Sequence, residues 1–383
     1  MMRFPKTFAE AQAQISSIQN RLSELRTHVD VWRYPVTSQH AQEWLYAPAT
    51  HTPRTALLLT AGVHGIEGYV GLGVLDVFVR EFLPRLDERT VGVAIVPMVN
   101  PWGMEHMQRT NAQHVDLNRN FLTDPAAFDP EFNPDYQRLR PFLAPDRPVS
   151  PTDMSLFWAR VLRVLLGTGL KSLRNATMLG QYSDPKGLLY GGDKVQPETR
   201  AFMEGLDTLL SNYEHLVHID IHTGYGPRHE MLIIFPHEDR RSLETLRTRY
   251  AYPRVVKTSG GEFYQTQGSL GSYVYRRAQE QHPGKEPCVT SLEFGTFGNS
   301  TPASLRSLRA LVLHNQLQHH GVQYPVQYPH VRERILREFR ELFMPSEPAW
   351  YEHALERARQ GLQGLLTGEQ LIAIPEHRSG HHA

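Results

Sequence analysis

Histidines and carboxylates stand at short, glycine-flanked spacings in this chain. Gly62-Val63-His64-Gly65-Ile66-Glu67-Gly68 places an imidazole and a carboxylate three residues apart. His218-Ile219-Asp220-Ile221-His222-Thr223-Gly224 ends an apolar run on another imidazole, and Ser291-Leu292-Glu293-Phe294-Gly295 ends one on a carboxylate. Asp116-Leu117-Asn118-Arg119-Asn120-Phe121 adds a polar turn with a guanidinium. Two imidazoles and a carboxylate are the ligand types of a catalytic zinc, which takes three protein ligands and leaves one position open. A spare carboxylate beside such an ion is a general base for water.

Context selects among the candidates. His-x-x-Glu occurs four times, at His40/Glu43, His64/Glu67, His330/Glu333 and His353/Glu356. Only His64/Glu67 follows a buried apolar run directly, between glycines that let the backbone turn sharply and approach a ligand closely. The expected ligands are therefore His64, Glu67 and His222. His218 and Asp220 share a strand face with His222, so His218 competes with it, but His222 sits at the strand end. Asp116 is a candidate to accept from a ligand imidazole and fix its tautomer, or to cap a turn. Glu293, also at a strand end, is the expected general base. Asn118 and Arg119 suit a substrate carboxylate, which a guanidinium fork meets in two planar contacts. Arg109 is placed to stabilise a developing oxyanion. The chemistry that uses all of these is hydrolysis of an amide next to a free carboxylate, with one Zn2+ per chain.

The elements that must hold these groups are legible from periodicity. Residues 7–26 read as an amphipathic helix with Phe8, Ala11, Ile15, Ile18, Leu22 and Leu25 on one face. Residues 29–46 are extended and aromatic, as one or two edge strands would be. Residues 55–60, 91–99, 215–221, 231–235 and 287–294 are apolar runs of the kind buried on both faces. Residues 71–79 and several other stretches between them read as helices. Alternating buried strands and helices imply an α/β domain around a largely parallel sheet, whose functional crevice lies at the carboxyl ends of the strands. Residues 1–50 are expected to pack on a catalytic domain spanning 51–325, with a proline-rich excursion at 124–151. Residues 326–383 form an appended helical pair and a histidine-bearing tail expected to be disordered.

Composition narrows the function classes. The 383 residues carry no formal net charge, which argues against nucleic-acid binding. The single cysteine, Cys288, allows no intrachain disulfide and fits a reducing compartment. No signal peptide and no membrane span are evident, so a cytoplasmic location is expected. The oligomeric state is not encoded in any readable pattern.

Taken in order, His64-x-x-Glu67, Asn-Pro-x-Gly at 100–103, Arg109, Asp116-x-Asn118-Arg119, His222 and Glu293 resemble the zinc carboxypeptidase superfamily. The resemblance covers about residues 55–300. It implies a central mixed, mostly parallel eight-stranded sheet flanked by helices, of the phosphorylase/hydrolase-like kind. It implies zinc on His64, Glu67 and His222, Arg109 polarising the carbonyl, Asn118 and Arg119 anchoring a terminal carboxylate, and Glu293 as base. It also implies a tyrosine closing over substrate, for which Tyr264 is the candidate, with Tyr273 and Tyr275 as rivals. Leu270 would line the side-chain pocket. The lack of a secretory prodomain, the long proline-rich excursion and the short Arg109-to-Asn118 spacing resemble a bacterial subgroup with a domain of unknown function, related to the succinylglutamate desuccinylase/aspartoacylase branch. The implied substrate is a small peptide. An N-acyl amino acid is the alternative, and a non-catalytic zinc-binding protein ranks third.

Overall fold

The structure is a computed structural model that describes residues 4–258 and 266–373. Among the described residues, eight strands form one sheet: β1 (Asp30–Pro35), β2 (Ala41–Ala47), β3 (Thr55–Ala61), β4 (Val91–Val96), β5 (His215–Thr223), β6 (Met231–Phe235), β7 (Val255–Lys257) and β8 (Cys288–Phe294). Their order is β1-β2-β4-β3-β5-β8-β6-β7. Strands β4, β3, β5 and β8 run parallel in the centre, while β1 and β2 join one side and β6 joins the other in antiparallel pairing. The five apolar runs fall on β3, β4, β5, β6 and β8, because a strand covered on both faces must be apolar at every position. Strand β7 was not expected, since three residues are too short to show a period.

Among the described residues, twelve α-helices surround the sheet. The first six are α1 (Phe8–Leu25), α2 (Gly68–Val77), α3 (Pro101–Glu105), α4 (Pro134–Leu143), α5 (Pro151–Ser155) and α6 (Phe157–Met178). The others are α7 (Pro197–Leu210), α8 (Leu243–Tyr250), α9 (Leu270–Gln281), α10 (Thr301–His320), α11 (Pro329–Phe343) and α12 (Pro348–Gly368). Alternation along β3 divides the core in two. Leu57 and Leu59 meet Ile15 of α1, Leu72 of α2 and Leu362 of α12 on one face. Leu58 meets Trp44, Phe202 and Leu206 of α7, and Val274 of α9 on the other.

Two regions outside the sheet add to the packing. In the C-terminal pair, α12 supplies Leu362, Leu365 and Leu366 to the main core. The proline-rich excursion leads through α4 and α5 into α6, and α4 and α6 share a separate apolar cluster with α10 through Tyr136, Leu139, Phe157, Leu173, Leu308 and Val312. No helix among the described residues is long and apolar enough to cross a membrane. The histidine-bearing tail at 377–382 lies outside the described residues.

Candidate metal centre and its cavity

The carboxyl ends of β3, β5 and β8 are neighbours in the sheet. Residue by residue, that adjacency assembles the site. After β3 the chain turns at Gly62, whose φ of +70° favours glycine. A side chain at Gly65 would place its Cβ 2.1 Å from a backbone carbon of Gly103. The tight turn carries His64 and Glu67 over the end of β5. On β5 and β8, His222 and Glu293 stand directly opposite each other in register.

The three expected ligands converge. One donor atom from each of His64, Glu67 and His222 lies within 4.8 Å of the other two. All three residues are buried. His64 Nδ1 is 2.9 Å from Glu67 Oε1, and His222 Nδ1 is 3.1 Å from Glu67 Oε2. Each imidazole has its other nitrogen on a second carboxylate. His64 Nε2 is 3.1 Å from Asp116 Oδ1, and His222 Nε2 is 2.5 Å from Asp220 Oδ2. With each Nε2–H donating to its aspartate, each Nδ1 lone pair points at an acceptor oxygen of Glu67. Lone pairs facing lone pairs in a buried site repel unless a cation or proton stands between them. This donor set fits a metal ion, and the aspartates behind the imidazoles are the usual means of fixing ligand tautomer and direction.

Ionisation in the metal-free protein follows the same geometry. Burial opposes charge on His222, but Asp220 and Glu67 outweigh it and hold the imidazole well above its ordinary pKa. Burial likewise opposes charge on Glu67, Asp116 and Asp220, and nearby cations reverse it in each case. His64 and His222 do so for Glu67, Arg109 and His64 for Asp116, and His222 for Asp220, so all three stay below the usual carboxylate range. Glu293 is different. Burial pushes its carboxyl up to about 7, Glu67 adds to the rise, and His222 opposes it. Its Oε1 accepts from the Tyr225 backbone N–H at 2.9 Å.

Arg109 lies against the same centre. Its Nε donates to Asp116 Oδ2 at 3.1 Å, its Nη1 to Glu67 Oε1 at 3.2 Å, and its Nη2 lies 2.8 Å from His64 Nε2. When Nη2 donates, His64 Nε2 is the acceptor and the ring proton sits on Nδ1. A metal on Nδ1 requires the other tautomer, with Nε2–H on Asp116. The Phe343 ring, from the end of α11, lies 5.9 Å from the Arg109 guanidinium carbon.

The other sequence candidates fall as follows. Asn118 and Arg119 both line the cavity above the metal residues. The Arg119 guanidinium donates to the backbone carbonyls of Asn118 and Met178 at 2.8 and 2.9 Å, while its buried Nε has no partner. Asn118 Oδ1 accepts from the Leu270 backbone N–H at 2.8 Å. Leu270 itself is a correction. It is fully buried in the core with Phe121 and Val274, not in the cavity wall. The first turn of α9 points it inward and leaves Ser269, Gly271 and Ser272 to line the cavity. Tyr264 lies outside the described residues. Its rivals Tyr273 and Tyr275 are buried on α9 and absent from the cavity wall. His218 is not a donor to the centre. Its Nε2 is 2.9 Å from Thr60 Oγ1, which donates onward to Asp220 Oδ1 at 2.6 Å. Burial lowers its pKa to about 4, so it stays neutral.

Several contributors were not singled out from sequence. Asp220 holds His222, and the shared strand face of 218, 220 and 222 was the available signal. Thr223 N–H donates to Glu67 Oε2 at 3.0 Å. A cavity of about 420 Å3 opens over the centre. One part of its wall comes from the sheet and α9, including Ile234, Thr258, Ser272 and Ser291. Another comes from α6, α10 and the end of α11, which sequence periodicity does not bring together.

Comparison with known proteins gives three results. No curated protein matches the sequence. Among solved structures, bovine thrombin-activatable fibrinolysis inhibitor, in complex with tick carboxypeptidase inhibitor, is similar at a TM-score of 0.46 and 13% identity, over 87% of this chain and 99% of that one. A metallo-carboxypeptidase from Burkholderia cenocepacia is similar at a TM-score of 0.44 and 13% identity, over 82% of this chain and 69% of that one. The family model described as a protein of unknown function, DUF2817, matches residues 24–357, and the chain belongs to that family.

Proposed function

We propose that this protein is a zinc-dependent hydrolase that cleaves an amide bond next to a free carboxylate. The observation that carries the reading is the convergence of His64 Nδ1, Glu67 and His222 Nδ1 on one point, with Asp116 and Asp220 behind the imidazoles. Zinc held there would supply Lewis-acid polarisation of the scissile carbonyl and acidify water to near neutrality. The remaining work falls to the chain's own groups. Glu293, raised to about 7 and lining the same cavity, takes a proton from the attacking water and delivers it to the departing nitrogen. Arg109 holds positive charge beside the ligands, where an oxyanion would form. Asn118 and Arg119 offer a cavity-facing amide and guanidinium to a terminal carboxylate.

The substrate is a short peptide or an N-acyl amino acid, and the apolar part of the cavity wall favours the second. The test is a panel of dipeptides and N-acyl amino acids, assayed with zinc-loaded wild-type protein and with Glu293→Gln. Hydrolysis should fall by about 10²–10⁴-fold in the variant. Activity that survives the substitution would remove Glu293 as the base.

A further inference from the structure

The cavity extends well past the metal residues, along helices that the chemistry does not need. Gly169 interrupts α6 at φ +77° and ψ +167°. Only residues after this break line the cavity. Leu170, Leu173, Arg174, Thr177 and Met178 recur at the spacing of one helix face. To the same cavity α10 contributes Leu305, Leu308 and Leu311, of which Leu308 also packs in the apolar cluster that includes Leu173. Before the break, α6 turns apolar side chains outward at every fourth position, with Leu162 58% and Leu166 82% exposed. Leu170 belongs to both surfaces, since it lines the cavity and is also exposed.

We propose that the group on the acyl side of the scissile amide is a long hydrocarbon chain, held between α6 and α10, so that the substrate is an N-acyl amino acid of medium or long chain length. The proposal rests on the hydrolase reading and names its substrate class. A helical wall discriminates against an extended peptide. The backbone groups of α6 and α10 are satisfied within the helices, and the leucine and methionine side chains offer no partners. Partners for a peptide would have to come from Arg174 and Thr177 of α6 or Thr301, Ser304 and Ser307 of α10, which line the same cavity. A peptide lying on the leucine face would leave its own N–H and C=O groups unpaired wherever those side chains do not reach, whereas a hydrocarbon has none to satisfy. The exposed leucines continue the apolar track beyond the cavity, so a chain longer than the cavity still loses water contact. Helix α6 carries Arg160, Arg163, Lys171 and Arg174 and no acidic residue. Arg160 is paired with Asp153, and the others favour approach of an anionic amphiphile. In the reaction the acyl carbon–nitrogen bond breaks and a carbon–oxygen bond to water forms. The nitrogen leaves with the proton carried by Glu293, giving a fatty carboxylate and a free amino acid.

The test is titration calorimetry of acetyl-, hexanoyl- and decanoyl-alanine onto Glu293→Gln protein, with and without zinc, below their micelle-forming concentrations. Affinity should rise at least about tenfold from hexanoyl to decanoyl, as burial of several methylenes requires. Leu170→Glu should reduce the decanoyl-to-acetyl affinity ratio. Equal affinity across the series in Glu293→Gln protein without the Leu170 change would overturn the proposal, whatever Leu170→Glu does. Chain-length dependence without hydrolysis by the wild type would sink the proposed function, and the substrate assignment with it, and would leave only a hydrocarbon-binding site between α6 and α10. Hydrolysis with no such dependence would leave the proposed function standing and overturn this inference.

Discussion

Strands β5 and β8 carry a buried ionic cluster at each end, and the two are built on opposite logic. At their starts, beside His215 and Cys288, Glu369 receives donors. Tyr250 Oη donates to it at 2.6 Å and Arg249 Nε at 3.0 Å, with His215 Nε2 at 3.1 Å. Arg241 closes on Asp239 nearby. Acceptors there face donors, and nothing more is needed. At their ends, beside His222 and Glu293, the acceptors of His64, Glu67 and His222 face one another. A closed cluster ties α8 and the segment after α12 to the sheet, whereas a cluster of converging acceptors creates demand for a cation. Burial alone does not separate a stabilising charge network from a functional one. The direction of each donor does.

The largest expected effect separates the two ends directly. His222→Ala should abolish stoichiometric zinc binding, measured by elemental analysis after dialysis. It should also lower amide hydrolysis by at least about a thousandfold. Glu369→Ala should keep zinc and activity at low temperature. It should lose about 2–4 kcal/mol in urea unfolding, because its donors are left without their acceptor. Full zinc occupancy in His222→Ala, or loss of zinc in Glu369→Ala, would collapse the contrast.

A smaller effect sharpens it within the metal end. Asp220→Asn keeps the shape of the side chain but weakens the hold on His222 Nε2. Zinc affinity, from competition with a chromogenic chelator, should fall about 10–100-fold. No change would mean that the imidazole is oriented by packing alone.

How much of this was readable from sequence depends on range. Strands β3, β4, β5, β6 and β8 were legible because burial on both faces leaves an unbroken apolar run. His64, Glu67, His222 and Glu293 stood out because each follows such a run, two of them next to glycine turns. Asp220 shared a face with His222, but only distances show that it, and not His218, sits behind the ligand. Leu270 misled because at a helix start one residue of rotation decides between core and cavity. The α6 and α10 wall was invisible for a different reason. Its leucines lie more than a hundred residues apart in sequence, and an apolar helix face looks the same whether it meets core or cavity.

The smallest effect concerns pH, and the two glutamates should shift stability with it in opposite directions. Glu293 is raised to about 7 by burial and must be ionised to accept a proton. The rate should therefore fall as pH drops, with its acid limb below 7, since a bound divalent cation favours the ionised form and pulls the limb down. In the metal-free protein the sign for stability is set by the same shift. Between 4.5 and about 7 the folded protein holds a proton on Glu293 that the unfolded chain has released, so stability falls as pH rises through that window. Glu369 runs the other way. Burial opposes its charge, but His215, Tyr250 and Arg249 outweigh it and hold it below its ordinary value of 4.5. Its contribution to stability is present in full above 4.5 and is lost as pH falls through its folded-state value. Urea midpoints of metal-free wild type, Glu293→Gln and Glu369→Gln between pH 4 and 8 check both signs. Glu293→Gln should flatten the loss on the neutral side, and Glu369→Gln should flatten the loss on the acid side. A reversal of either slope would mean that the two carboxylates do not differ as their partners require.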